Sequence, residues 1–144
     1  MLSEDVEKGI GNDTTATGAS WEYLSVEGSP GLGLLTSQSH PWEGAATYVL
    51  TEWATGLRQA SGVAGYGWNE WVLAPETGIA MGLNKSSSRV VTGSGDTLSV
   101  WWALHQTGLR VHADVPDGTK GTIRFRGSSK TFSAGHNQSA TLTL

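Results

Sequence analysis

One stretch constrains this chain more than any other: Ser39 to Arg58 is the only segment that reads convincingly as a helix, and almost everything after it reads as strand and turn. Ser39 or His40 can cap it, and Pro41 suits the first helical position because its missing N–H would be unpaired there anyway. Glu43 faces the positive end of the helix dipole. Trp42, Ala46, Val49, Leu50, Trp53 and Leu57 recur at spacings of three and four, so they share one face, and that face must be buried against something. The spacing predicts a helix over 40–57 with Gly56 at its end. A glycine-rich connection, Gly62 to Gly67, follows.

Downstream, Trp68 to Ala74 reads as a strand closed by Pro75, and Val90-Val91-Thr92 runs into the turn Gly93-Ser94-Gly95-Asp96. Leu98, Val100, Trp102 and Leu104 alternate on one face, as do Leu109, Val111, Ala113 and Val115. The two segments pair as a hairpin through His105 to Gly108. Gly121 to Arg126 is a further strand, and Ala140 to Leu144 a last one. Short strands with regular turn signals after a single helix predict a mostly β fold, an antiparallel β-sandwich preceded by one amphipathic helix.

Upstream, Leu2, Val6 and Ile10 have helical spacing over two turns at most, and Gly11 to Ser20 is a loop. Trp21 to Val26 follows as a short strand-like segment with Glu22 between two aromatics. Desolvation by those rings would raise its pKa and suit acid or base work; strand alternation alone would turn it to solvent.

A net charge of −4 with scattered Lys and Arg gives no basic stripe, so nucleic acid is not an expected partner. No apolar run is long enough for a membrane span, and Met1-Leu2-Ser3-Glu4-Asp5 opens without the pattern of a signal peptide. Zero cysteines remove disulfides, thiol catalysis and thiolate metal sites together. His40, His105, His112 and His136 are scattered without ligand spacing, so no metal site is expected and no cofactor motif is present. Gly93 to Thr97 lacks the lysine and helix of a phosphate loop. What stands out is seven Trp and 20 Gly among few charges, a composition suited to carbohydrate contact. Indole rings pack on the C–H face of a sugar while a few fixed polar groups hold its hydroxyls. Core packing is the ordinary role of any one of these rings.

Several segments in order carry a resemblance: Trp21-Glu22; Ser39-His40-Pro41-Trp42 opening a helix; Thr55-Gly56-Leu57-Arg58; Gly65-Tyr66-Gly67-Trp68; Val72-Leu73-Ala74-Pro75-Glu76-Thr77-Gly78; Thr92 to Gly95; Val115 to Thr119; and the closing Gly135-to-Leu144 strand. Together, from about Trp21 onward, they resemble the C-terminal part of α-L-rhamnosidases. Pro41 stands where that family more often has glycine, and Glu43 replaces a small polar residue. The resemblance implies the end of an (α/α)6 barrel over residues 1–60, its last helix running directly into a C-terminal β-sandwich over 61–144. It also implies inverting hydrolysis of rhamnosides, with Glu22 as general base and Trp21, His40 and Trp42 lining the sugar site. Family members are often secreted.

Inverting glycosidases need two carboxyl groups about 6.5–9.5 Å apart. In the family the general acid and the acidic residues that hold the rhamnose lie well upstream of Trp21, and nothing in the first twenty residues replaces them. Loss of leaving-group protonation costs ~10²–10⁴-fold, so this chain alone is expected not to hydrolyse rhamnosides usefully. Three roles follow as expectations: the C-terminal part of a rhamnosidase-like hydrolase; a stand-alone carbohydrate-binding sandwich using Trp101, Trp102 or Trp42; or an interaction domain whose helix face of Trp42, Val49, Leu50, Trp53 and Leu57 meets the rest of a catalytic domain or another subunit.

Overall fold

The computed structural model describes Val26 and residues 45–143. Nearly all of them belong to one compact unit, Tyr48–Leu144. The capping residues expected at Ser39 to Pro41 lie outside the described residues. Within them the helix is present: α1 (Ala45–Val49) passes into a π-helical stretch, Leu50–Thr55, which stops at Gly56 with φ 81°. Only glycine accepts that left-handed geometry cheaply, and a Cβ there would also sit 2.2 Å from the Ala74 carbonyl oxygen.

One expectation for this helix is corrected. Leu57 does not continue it; as the first residue of β1 (Leu57–Gln59) it is fully buried, because the reversal at Gly56 swings the chain into a sheet. Val49, Leu50 and Trp53 of the expected apolar face are 46%, 61% and 45% exposed. The helix buries its last turn instead, through Ala54 and Thr55.

The strands form two four-stranded sheets. The first has the order β1, β2 (Glu70–Leu73), β6 (Lys120–Phe125), β7 (Ser128–Phe132); the second β3 (Lys85–Val91), β4 (Thr97–His105), β5 (Gly108–Val115), β8 (Gly135–Thr143). All neighbours are antiparallel except β2 and β6, which run parallel from Glu70↔Lys120 to Leu73↔Ile123. That exception has a topological cause. The chain between β2 and β6 makes three strands of the other sheet, so no hairpin fixes their relative direction. The expected β4–β5 hairpin is found, and its register sets Leu104 opposite Leu109 and His105 opposite Gly108.

Alternation builds the core. Leu57, Trp71, Leu73, Ile123, Phe125 and Phe132 of the first sheet join Leu98, Val100, Trp102, Leu109, Val111 and Val115 of the second in one buried cluster. Trp71 lies flat over Gly121, its partner across the parallel pair; a Cβ there would stand 2.2 Å from ring atoms of the indole.

The helix end is fastened to the second sheet by a polar seam. Ser86 and Ser88 of β3 stand on the same face as Trp102 and Val100, their register partners, and there they meet the helix. The Thr55 and Ser86 hydroxyls are 2.8 Å apart, and the Ser88 hydroxyl donates to Thr51 Oγ1 at 3.3 Å. Deeper in, Trp102 Nε1–H donates to the Thr55 carbonyl at 2.8 Å. A short helix, α2 (Glu76–Ala80), packs against the same turn, with Gly78 so close that a Cβ would lie 2.0 Å from the Ala54 carbonyl oxygen.

Candidate functional site

Trp21, Glu22, His40 and Trp42, the residues assigned to a sugar site by resemblance, all lie outside the described residues. Of the two sandwich tryptophans named as binding candidates, Trp102 is excluded as a surface platform: it is fully buried, and its one polar atom is engaged by Thr55. Trp101, one residue earlier on β4, points the opposite way because strand side chains alternate. It is half-buried on the outward face of the second sheet.

The registers place its neighbours. Ser87, Trp101, His112 and Ser139 form one row across β3, β4, β5 and β8; Arg89, Ser99 and Asp114 form the next, and Lys85, Ala103, Arg110 and Thr141 the row on the other side. Trp101 therefore sits in the middle of a mostly polar surface. Its ring lies 5.3 Å from that of His112, tilted by 54°. Around the pair is a groove of about 470 Å³ whose polar lining includes Ser87, Arg89, Ser99, Asp114 and Asn137.

A β-bulge sets the position of the one carboxylate in this groove. The β5–β8 register shifts between Ala113 and Val115, and Asn137 takes a left-handed φ of 49°. Its N–H thereby donates to Asp114 Oδ1 at 2.7 Å, while the Ser99 hydroxyl donates to Oδ2 at 3.2 Å. His136 Nδ1 stands 3.7 Å from Oδ1. The Asn137 amide first and the Ser99 hydroxyl second hold the Asp114 carboxyl below the ordinary carboxylate range.

A lowered folded-state value means that the carboxylate contributes stability above its unfolded titration range, and that this stability is lost as pH falls through the folded value. Thermal unfolding is therefore expected to show a Tm that drops as pH falls below about 4. Asp114→Asn is expected to lower Tm at pH 7 and flatten that acid limb; an unchanged acid limb would contradict this account of the bulge.

The groove offers one flat apolar ring, hydroxyls at Ser87 and Ser99, a guanidinium at Arg89 and an imidazole at His112. That is equipment for holding a hydroxyl-rich ligand by its face and edges. It holds a single carboxylate, whereas glycoside hydrolysis uses two. Among the described residues no group of three His, Asp or Glu side chains could hold a metal ion. A larger depression of about 670 Å³ lies near Asn69 and Gly118, but no aromatic ring lines it, and its two charged groups, Glu70 and Lys120, satisfy each other at 3.0 Å.

Composition points to tryptophan, and both Trp101 and Trp102 are binding candidates on that ground although the strand pattern sets Trp102 on the apolar face. Alternation with the buried Leu98 and Val100 is the signal that separates them. Asp114 and Asn137 had no signal, since a bulge between β5 and β8 depends on which strands pair. Comparison of the chain with known protein families, curated proteins and solved structures finds no match in any of the three.

Proposed function

We propose that this chain is the C-terminal β-sandwich part of an α-L-rhamnosidase-like glycoside hydrolase and that it contacts carbohydrate through the Trp101 face. The observation that carries the reading is a half-buried indole at the centre of a mostly polar strand face, bordered by Ser87, Ser99, His112 and a fixed Asp114. The order of elements agrees with the resemblance, for a helix enters the sandwich directly and is locked to it through Thr51, Thr55 and Trp102. In this reading the sandwich braces the helical part and holds a saccharide chain. The roles of Glu22 as general base and of Trp21, His40 and Trp42 at the sugar subsite are part of the same proposal.

Titration of the purified chain with rhamnose-containing oligosaccharides tests it, run beside a rhamnoside hydrolysis assay on the same sample. Binding without turnover is expected, and Trp101→Ala is expected to weaken binding at least tenfold while shifting Tm less than Trp102→Ala, because outward-facing sites tolerate truncation better than core ones. Equal affinity of wild type and Trp101→Ala would remove this face from the proposal, and turnover would contradict the expectation that the chain is not catalytic alone.

A second reading is favoured by Tyr48, Val49, Leu50 and Trp53, four large side chains exposed within six residues of one helix. A soluble protein rarely leaves such a patch without a partner, and the helical portion of a hydrolase or another subunit would cover it. Gel filtration giving a clean monomer would count against association of this chain with itself.

A further inference from the structure

We infer that the ligand of the Trp101 face is an acidic saccharide, a chain carrying uronate carboxylates, rather than a neutral sugar. This rests on the carbohydrate reading above and goes further by assigning the charge of the ligand. The chain as a whole is acidic, with 13 Asp and Glu against nine Lys and Arg, yet from Lys85 to Thr143 it holds seven Lys and Arg against three Asp. Three of those cations, Lys85, Arg89 and Arg110, stand on the outward face of the second sheet around Trp101.

The acids offset them only in part. Asp114, the one carboxylate among those rows, stands against three cations and takes its hydrogen bonds from Asn137 and Ser99. Asp96 accepts from Ser94 in the turn before β4, and Asp117 lies beyond the end of β5. Among the described residues the carboxylate contacts within 4 Å of basic groups are Lys120–Glu70 and His136–Asp114, so Lys85, Arg89 and Arg110 have no carboxylate partner there.

The spacing suits a chain-like ligand. Lys85 and Arg89 lie four residues apart on edge strand β3, ~13 Å along the strand, with Ser87 between them beside Trp101. A sugar ring stacked on Trp101 would thus have a cation available to the residue on either side of it. Arg89 lines the groove itself, and a guanidinium matches a carboxylate by two parallel N–H donors.

The probe is an oligogalacturonate compared with its methyl ester, which keeps the backbone and removes the charge. Isothermal titration at low salt is expected to give roughly three- to tenfold tighter binding of the acid form, the scale of two or three exposed ion pairs. That preference is expected to shrink toward one in about 1 M NaCl, where screening acts over ~3 Å. Arg89→Met and Lys85→Met should each reduce the acid-over-ester ratio, and Trp101→Ala should weaken both forms. Equal affinity for acid and ester overturns the inference while leaving the carbohydrate reading in place, as does binding of neutral rhamnose oligosaccharides alone. Binding of heparin or an oligonucleotide as tightly as the uronate, insensitive to Trp101→Ala, overturns it in favour of a general polyanion surface. Failure of every saccharide to bind removes the underlying reading as well.

Discussion

Gly121→Val is expected to destabilise the sandwich by ~3 kcal/mol or more, at the upper end of the range for overpacked cores. Gly121 lies in β6 directly beneath the Trp71 indole, where a Cβ would meet three ring atoms at 2.2–2.3 Å. No small adjustment relieves such a contact. Trp71 is 1% exposed and belongs to the buried cluster that includes Leu73, Ile123 and Phe125, so the ring cannot swing outward without opening the first sheet. For a chain of this size each kcal/mol shifts Tm by ~2–4 °C, so the variant should melt roughly 10 °C lower or fail to fold. Gly121→Ala should fall between wild type and valine. Trp71→Leu should recover part of the loss when combined with it, because the two residues are coupled and their effects are not additive. Additive effects of the two changes would show that the ring does not rest on Gly121.

Trp102→Ala is expected to cost more, ~3–5 kcal/mol from the cavity alone. The ring is fully buried between the sheets, and its N–H satisfies the Thr55 carbonyl at the end of the helix. Loss of the donor leaves that carbonyl without its partner, a further ~1–3 kcal/mol. Trp102→Phe separates the two effects, since it keeps most of the ring and removes the N–H. Its expected signature is local: faster amide exchange or proteolysis across Thr51 to Gly56, where the Thr51–Ser88 and Thr55–Ser86 contacts would be left to hold the helix alone. Uniform loosening with no preference for that segment would mean that Trp102 fills the core without anchoring the helix.

The parts of this fold legible in the sequence are those where local rules decide. Gly56 ends the helix where a glycine is expected to, although the apolar spacing runs on to Leu57. Four alternating apolar residues on each side of His105 to Gly108 mark the β4–β5 hairpin. Strands whose partners lie far away were harder to read. Lys85-Ser86-Ser87-Ser88 has the composition of a loop, yet it is the start of β3, because β4 supplies its hydrogen bonds and Thr51 and Thr55 satisfy the inward-facing serines. β7 carries one buried apolar residue, Phe132, and is made a strand by the tight Arg126-Gly127 turn, whose φ values of 47° and 82° fold it back on β6. α2 is one turn and a half, too short for any periodicity to show. The helix face was legible as apolar but its burial was not, because apolar spacing says which side chains share a face and nothing about what covers them.

The same division holds for the site. Tryptophan content pointed toward carbohydrate, and alternation distinguishes Trp101 on the surface from Trp102 in the core. The polar setting of Trp101 arises from pairing across four strands, and Asp114 takes its place from a bulge against β8. No local pattern encodes either.

The most direct test of the account follows the tryptophan indole N–H signals by NMR while a rhamnose- and uronate-containing oligosaccharide is titrated into the chain. The account predicts that the Trp101 indole signal moves together with the amides of Ser87, Ser99 and His112, while that of Trp102, buried and bonded to Thr55, stays still. A titration in which Trp101 does not respond, or in which the shifts centre on Trp53 and the helix, would contradict the proposal that this sheet face is where the protein meets carbohydrate.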